Sequence, residues 1–233
     1  MLYYTCEIRG VKATAVIPAY REEGRVGKVV AGVKEYLADV LVVDDGSPDG
    51  TGAEAARAGA SVLRLEPNRG KGAALLAGLA EARRRGFDAA VTLDADGQHD
   101  AAAIPAMLAA LARGADVVIG TRMGDVRGMP PQRIFSNTFT SAVISMLAGR
   151  LVRDSQTGYR ALRLGAVEKL PLVRRGFDLE SEMLLKAARA GARIAHVTVP
   201  TIYADEKSKI NVLADTYRFF RVVFADMAER LER

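Results

Sequence analysis

What most limits this chain's fold is a rhythm in its first half. Short apolar runs rich in β-branched residues, at 14–18, 40–43, 61–65, 89–93 and 116–119, alternate with segments of helical periodicity at 25–38, 51–58, 72–85 and 101–113. In the first helical segment Val26, Val29, Val30, Val33 and Leu37 recur at the spacing of one helix face. Pro105 falls early enough in the last to occupy a first turn, where a missing N–H costs little. Strands and helices in this order predict an α/β fold, a mostly parallel sheet flanked by helices on both faces. The second half is less regular, with helices over 132–151 and 179–190, a strand over 192–199 and a final helix over 211–231. The helix over 132–151 gathers Phe135, Phe139, Ala142, Val143, Met146 and Leu147 on its apolar face; the last gathers Leu213, Tyr217, Phe220, Phe224, Met227 and Leu231. Both can either pack on the sheet or lie at a membrane edge. Residues up to about Gly10 show no clear period and read as a loose arm. No repeat or low-complexity stretch interrupts the chain, so 1–233 reads as one domain, its core at about 12–204 and an appended segment with an amphipathic helix at 205–233.

In such sheets ligands bind beyond the carboxyl ends of the strands. Those ends hold Pro18-Ala19-Tyr20-Arg21-Glu22, Asp44-Asp45, Asn68-Arg69-Gly70-Lys71-Gly72, Asp94-Ala95-Asp96 and Gly120-Thr121-Arg122. Asp94 and Asp96 lie two residues apart, so in extended chain both point to one side. Converging carboxylates repel unless a positive charge sits between them, and Mg²⁺ or Mn²⁺ shared with a substrate phosphate suits their oxygens. The same residues also suit a plain strand-to-turn junction. Polar chemistry at every other strand end favours the nucleotide-like, metal-assisted reading. Lys71 between two glycines has the look of phosphate-cradling sequence but lacks P-loop spacing, so a solvated helix start competes with it. His99 and His196 are far apart in sequence and read as structural.

The net charge of +5 and pI of about 9.4 suggest an anionic partner: phosphates, nucleic acid or an acidic membrane surface. Nucleic acid is the weakest of these, for there is no recognised motif, no basic stripe interleaved with aromatics and no tryptophan. The single cysteine, Cys6, rules out a disulfide framework within the chain and a cysteine metal site, which fits a reducing cytosol. No apolar run approaches the roughly 20 residues that span a bilayer, and Glu7 interrupts the apolar N-terminus where a signal peptide would need continuity. The expectation is a cytoplasmic protein, soluble or peripheral at the cytoplasmic membrane face.

Taken in order, VIPAYREE, VVDDGSPDGT, NRGKGAAL, TLDADGQHD, GTR, DSQTGYRAL, GFDLESE and VPTIYADEKSKI run through most of the chain. With them the chain resembles the family 2 glycosyltransferases, close to the dolichyl-phosphate mannose or glucose synthases. The resemblance implies a GT-A fold and an inverting transfer of a hexose, mannose before glucose, from a nucleotide sugar to a polyprenyl or dolichyl phosphate. It also implies Mg²⁺ or Mn²⁺ as cofactor, and GDP-mannose or, second, UDP-glucose as donor. Carried over by position, Pro18, Tyr20 and Glu22 line the nucleoside pocket, and Asp45 with Asp44 accepts from the base. Lys71, Asp94 and Ala95 complete the donor side, and Asp94, Asp96 and Gln98 hold the metal. Arg122, Arg133, Ser208 and Lys209 grip the acceptor phosphate. Other uses stay open: Tyr20 as a core aromatic, Arg133 as a helix cap or packing residue.

A phosphate monoester is largely dianionic at neutral pH, with a second pKa near 6. Such an acceptor needs cations to position it and no enzymic base, which suits arginine and lysine on the acceptor side. A hydroxyl acceptor would need a carboxylate base, for which Asp178, Glu180 and Glu182 are the candidates; near a helix start the same acids are favourable dipole partners. A sugar-1-phosphate nucleotidyltransferase is disfavoured because its glycine-rich arginine loop after the first strand is missing. A catalytically silent nucleotide-sugar-binding subunit is the alternative of another class.

Overall fold

The computed structural model describes residues 7–8, 10–124, 126, 129, 131–174, 176, 178–200 and 223. Its centre is strand β2 (Val11–Ala19), in which Ala13, Ala15, Val16 and Ile17 are all at most 1% exposed. Each such Val or Ile contributes roughly 1.5–3 kcal/mol by leaving water. Around it lie β1 (Glu7–Ile8), β3 (Val40–Asp44), β4 (Ser61–Arg64), β5 (Ala89–Thr92), β6 (Val117–Thr121), β7 (Arg160–Arg163) and β8 (Ile194–Thr198). The strand order is β4-β3-β2-β5-β7-β6-β8, with β1 paired to the start of β2. β2, β3, β4 and β5 run parallel, as do β6 and β8. Strand β7 is antiparallel to both β5 and β6.

Two of these strands differ from the sequence expectation. Ile8 pairs with Val11, so part of the expected loose arm is a short strand. β7 falls between the expected helices over 132–151 and 179–190, where no strand was expected. It is four residues long and bounded by arginines, a pattern with no strand period, and its partners rather than its propensity define it.

The helices are α1 (Val26–Lys34), α2 (Thr51–Arg57), α3 (Lys71–Arg84), α4 (Ile104–Ala112), α5 (Pro131–Ala148), α6 (Leu164–Val167) and α7 (Leu179–Arg189). Pro105 sits in the first turn of α4. Each face of the sheet carries its own core. One packs Val26, Val30, Ala55, Ile104 and Met107 of α1, α2 and α4; the other packs Leu75, Leu79, Ile144, Leu147 and Met183 of α3, α5 and α7. Gly78 lets α3 sit close, because a Cβ there would stand 2.5 Å from Val16 Cγ1 and 2.8 Å from Val43 Cγ2.

Helix α5 corrects the expected face. Ile144 and Leu147 are buried together with Asn137, Thr140 and Ser141, whereas Phe135, Phe139 and Met146 are exposed. The polar side faces inward because it has partners there: Ser155 N–H donates to Ser141 Oγ at 2.9 Å and Val152 N–H to Ser145 Oγ at 2.9 Å. Gly149, at φ 65°, ends the helix. The expected helix over 211–231 lies outside the described residues except for Val223, which is helical and joins the second core.

Candidate active site

The carboxyl ends of β2, β3, β5 and β6 open on one edge of the sheet, and the antiparallel β7 brings its amino end, with Gly158 and Tyr159, to the same edge. At the β2 end Tyr20 is 39% exposed, which removes the core reading of its ring. Arg21, at φ 57°, places its guanidinium 5.3 Å from that ring. Glu22 opens α1: its carbonyl accepts from Arg25 and Val26, and its carboxylate pairs with Arg25 at 3.2 Å. Pro18 is buried in β2 yet breaks no ladder, since β5 pairs with β2 only as far as Val16.

Asp44 and Asp45 shape the loops here. Asp44 accepts from Ser47 N–H at 2.9 Å and pairs with Arg64 at 2.7 Å. Asp45 accepts from the backbone N–H groups of Arg69, at 2.9 Å, and Gly70, at 2.8 Å. Those two bonds fix the turn that launches α3, and with it Lys71.

Lys71 is the residue whose role the sequence leaves most open. Its ammonium lies 2.7 Å from Asp94 Oδ1 and 3.2 Å from Glu180, so it is no solvated helix start. Burial would lower its pKa, but the Asp94 and Glu180 carboxylates outweigh burial and raise it. For Asp94, burial pushes upward and is overcome by Lys71 and by His99, whose Nε2 is 3.6 Å from Oδ2; the carboxyl is held below its ordinary range. Positive charge is thus supplied to Asp94 by the chain itself, through Lys71. His99, expected to be structural, touches this cluster and also packs on Tyr159 at 4.9 Å between ring centroids. Asp96 and Gln98 follow on a half-buried turn in which Gln98 N–H donates to Asp96 Oδ1 at 3.0 Å, with Gly97 at φ 82°. Ala95, between Asp94 and Asp96, is buried.

At the β6 end Arg122 is clamped. Its Nε and a terminal nitrogen reach Asp154 at 2.8 and 2.7 Å, and its backbone N–H adds a third bond at 2.9 Å. Asp154 is fully buried, adopts φ 56°, and also accepts from Asn137 of α5 at 2.7 Å. Burial raises its pKa, and the Arg122 guanidinium more than reverses that. Arg133 stands in the first turn of α5; Ser208 and Lys209 lie outside the described residues.

The three candidate bases separate. Glu182 accepts from the N–H groups of Val173 and Arg174 and pairs with Lys186 at 3.0 Å, so it holds the preceding loop. Asp178 lies 3.9 Å from Arg174. Glu180 alone reaches the cluster; it is 4% exposed, with Oε1 on Lys71 and Oε2 without a hydrogen-bond partner among the described residues.

Sequence reasoning passed over Asp154, Asn137, Gly158 and Arg160. Arg160 is 1% exposed and donates to the carbonyls of Thr157, Ser155 and Glu180, tying β7 and the 154–157 turn to α7. Gly158 is the contact point: a Cβ there would meet Asp94 Oδ1 at 2.9 Å and Lys71 Nζ at 3.2 Å. The signal available was the glycine inside the polar DSQTGYRAL run.

No cluster of three or more His, Cys, Asp or Glu able to hold a metal occurs among the described residues. Magnesium needs no such cage, since one or two carboxylates with water and substrate phosphate complete its shell. Asp94, Asp96 and the Gln98 amide offer only oxygens, which fits Mg²⁺ or Mn²⁺ and not zinc. Among the described residues no cation pairs with Asp96.

The fold and the acidic edge together are those of a GT-A glycosyltransferase. The model for "Glycosyl transferase family 2" matches residues 14–169, and the chain belongs to that family. It is 30% identical over 239 residues to the polyprenol monophosphomannose synthase of Mycolicibacterium smegmatis, covering 95% of this chain and 89% of that one. It is 33% identical over 202 residues to the undecaprenyl-phosphate mannosyltransferase of Micrococcus luteus, covering 81% and 83%. Among solved structures, the glucosyl-3-phosphoglycerate synthase of Mycobacterium tuberculosis with bound UDP superposes at a TM-score of 0.73 and 20% identity, covering 92% of this chain and 79% of that one. That enzyme has also been crystallised with Mg²⁺ and UDP.

Proposed function

We propose that this glycosyltransferase moves a hexose, mannose in the first instance, from a nucleotide sugar to a polyprenyl or dolichyl phosphate, with inversion at the anomeric carbon. The observation that carries the reading is the pairing of an acidic, lysine-bearing donor edge with an arginine locked in place by a buried aspartate. The relatives named for polyprenol and undecaprenyl phosphate support the acceptor class, and GDP-mannose is the donor of choice over UDP-glucose.

Pro18, Tyr20, Glu22, Asp44 and Asp45 frame the nucleoside, and Lys71 meets the diphosphate. Asp94, Asp96 and Gln98 would hold Mg²⁺ or Mn²⁺, which when bound supplies positive charge to the departing diphosphate. Arg122 and Arg133, with Ser208 and Lys209, position the acceptor phosphate. Asp154 fixes the plane of Arg122 in advance, so that little side-chain freedom is lost when the anion arrives. The acceptor is already ionised, and no proton need be removed by the protein. No helix among the described residues is long and apolar enough to cross a membrane.

One observation favours a second reading, a hydroxyl acceptor: Glu180 Oε2, beside Lys71 and without a hydrogen-bond partner among the described residues, is placed as a base would be. Glu180→Gln separates the two. Radiolabelled transfer to a polyprenyl phosphate should persist at a measurable rate in the folded variant. Complete loss with an unchanged melting temperature would favour the hydroxyl acceptor.

A further inference from the structure

The turn that carries Asp154 is held by its backbone N–H groups, each caught by a side chain from outside it. Val152 N–H donates to Ser145 Oγ at 2.9 Å and Ser155 N–H to Ser141 Oγ at 2.9 Å, both hydroxyls belonging to α5. Between them Arg153 N–H donates to Nε2 of His196, on β8, at 3.0 Å. Asp154 follows at φ 56°, a left-handed backbone that a residue bearing a Cβ keeps only where its surroundings over-determine it. Its carboxylate is the one that clamps Arg122. His196, which the sequence reads as structural, thus holds the amide one residue before that clamp.

The three holds differ in chemistry. The two serine hydroxyls do not titrate, whereas an imidazole nitrogen accepts only while it carries no proton. The Arg153 bond therefore needs a neutral ring with its proton on Nδ1. The surroundings favour that form: His196 is half-buried, and burial first, then the Arg153 guanidinium, pushes its pKa below the ordinary value. Strand β6 and helix α4, which pack on β8, carry no charged side chain. The charges on this side are Arg153 and Arg150, whose guanidinium donates to the Ala192 carbonyl just before β8 at 2.6 Å. No carboxylate pairs with His196 among the described residues. A proton on Nε2 would remove the acceptor and set a second positive charge beside Arg153.

We propose that His196 is a positioning residue for Arg122: its neutral imidazole holds the Arg153 amide and, through the turn, sets the Asp154 carboxylate that orients the guanidinium. The histidine moves no proton in the reaction; its part is geometric. Because its folded pKa lies below the unfolded one, the hold is complete above about pH 6.5 and is lost as pH falls through the folded value. In acid Arg122 then meets its anion with a loosened fork, and the paired donors no longer arrive pre-aligned. The lipid-phosphate acceptor proposed above enters only as the anion that Arg122 meets; the hold on the turn does not depend on it.

Two measurements between about pH 8 and pH 5 test this, on wild type, on His196→Gln, whose amide oxygen accepts without titrating, and on His196→Leu, which cannot accept. The first is amide hydrogen exchange of the turn at 152–155, corrected for the intrinsic rate at each pH. Wild-type protection should fall about tenfold or more below about pH 6, persist in the glutamine variant and be low throughout in the leucine variant. The second is radiolabelled transfer to a polyprenyl phosphate at saturating donor. In acid the acceptor KM of wild type should rise about tenfold or more relative to the glutamine variant, with kcat changed less. Protonation of the acceptor itself acts on all three proteins alike and cancels in that ratio. Wild-type protection that ignores pH, or a glutamine variant as acid-sensitive as wild type, would overturn the proposal. So would an acceptor KM that rises equally in all three. Should the leucine variant fail to fold, wild type against glutamine still decides. Absent transfer beside an acid-sensitive turn would count against the proposed function and leave the hold of His196 standing.

Discussion

Gly158→Ala isolates the site from the fold. The added Cβ would lie 2.9 Å from Asp94 Oδ1 and 3.2 Å from Lys71 Nζ, where ordinary contacts begin near 3.4 Å. Asp94 must therefore retreat by about 0.5 Å, stretching its 2.7 Å contact to Lys71. Both clashing atoms are ends of side chains, and Gly158 needs no left-handed backbone, so the overpacking cost sits at the low end, about 1 kcal/mol. In a chain of this length that is a fall in melting temperature of roughly 2–4 °C. The chemistry is less tolerant, because misplacing a catalytic group by about 1 Å can cost on the order of a hundredfold. The expected result is a loss of about tenfold or more in kcat/KM, measured by radiolabelled transfer, beside a nearly unchanged thermal melt. Wild-type kcat/KM in the variant would refute the idea that Asp94 and Lys71 do chemistry at this edge. A collapse of the melt would show that the glycine serves the fold instead.

Asp154→Asn should destabilise the protein by roughly 2–5 kcal/mol at neutral pH, by breaking a buried charge pair. The folded pKa of Asp154 is depressed, so its contribution is present above the unfolded value near 4 and is lost as pH falls through the folded one. Urea melts of wild type and variant should accordingly converge below about pH 4; a constant gap would assign the loss to something other than the carboxylate. Gly78→Ala should cost roughly 1–3 kcal/mol by forcing α3 off Val16 and Val43, read as a lower urea midpoint. An unchanged midpoint would mean that the helix shifts without cost.

Much of the architecture could be read from the chain because its parallel strands are buried on both faces, which leaves short continuous apolar runs such as 40–43. Strand β7 was hidden for the opposite reason. Its Arg160 is buried by donating to three carbonyls that only the folded chain brings together. Helix α5 misled for a related cause: its inward polar face is satisfied by the 152–155 turn, so hydrophobicity alone pointed the helix the wrong way. At the site, Asp94 stood out by spacing, whereas the partners of Lys71 and Arg122, namely Glu180 and Asp154, are distant in sequence and carry no local signal.

The central claim is that Asp94 and Asp96 couple a divalent cation to the donor's diphosphate. Isothermal titration of GDP and UDP, with and without Mn²⁺, into wild type, Asp94→Asn and Asp96→Asn tests it directly. Mn²⁺ should strengthen binding of one nucleotide by about tenfold or more in wild type, with that gain lost in both folded variants. Nucleotide affinity in wild type that is indifferent to Mn²⁺, or a gain that survives both substitutions, would contradict it.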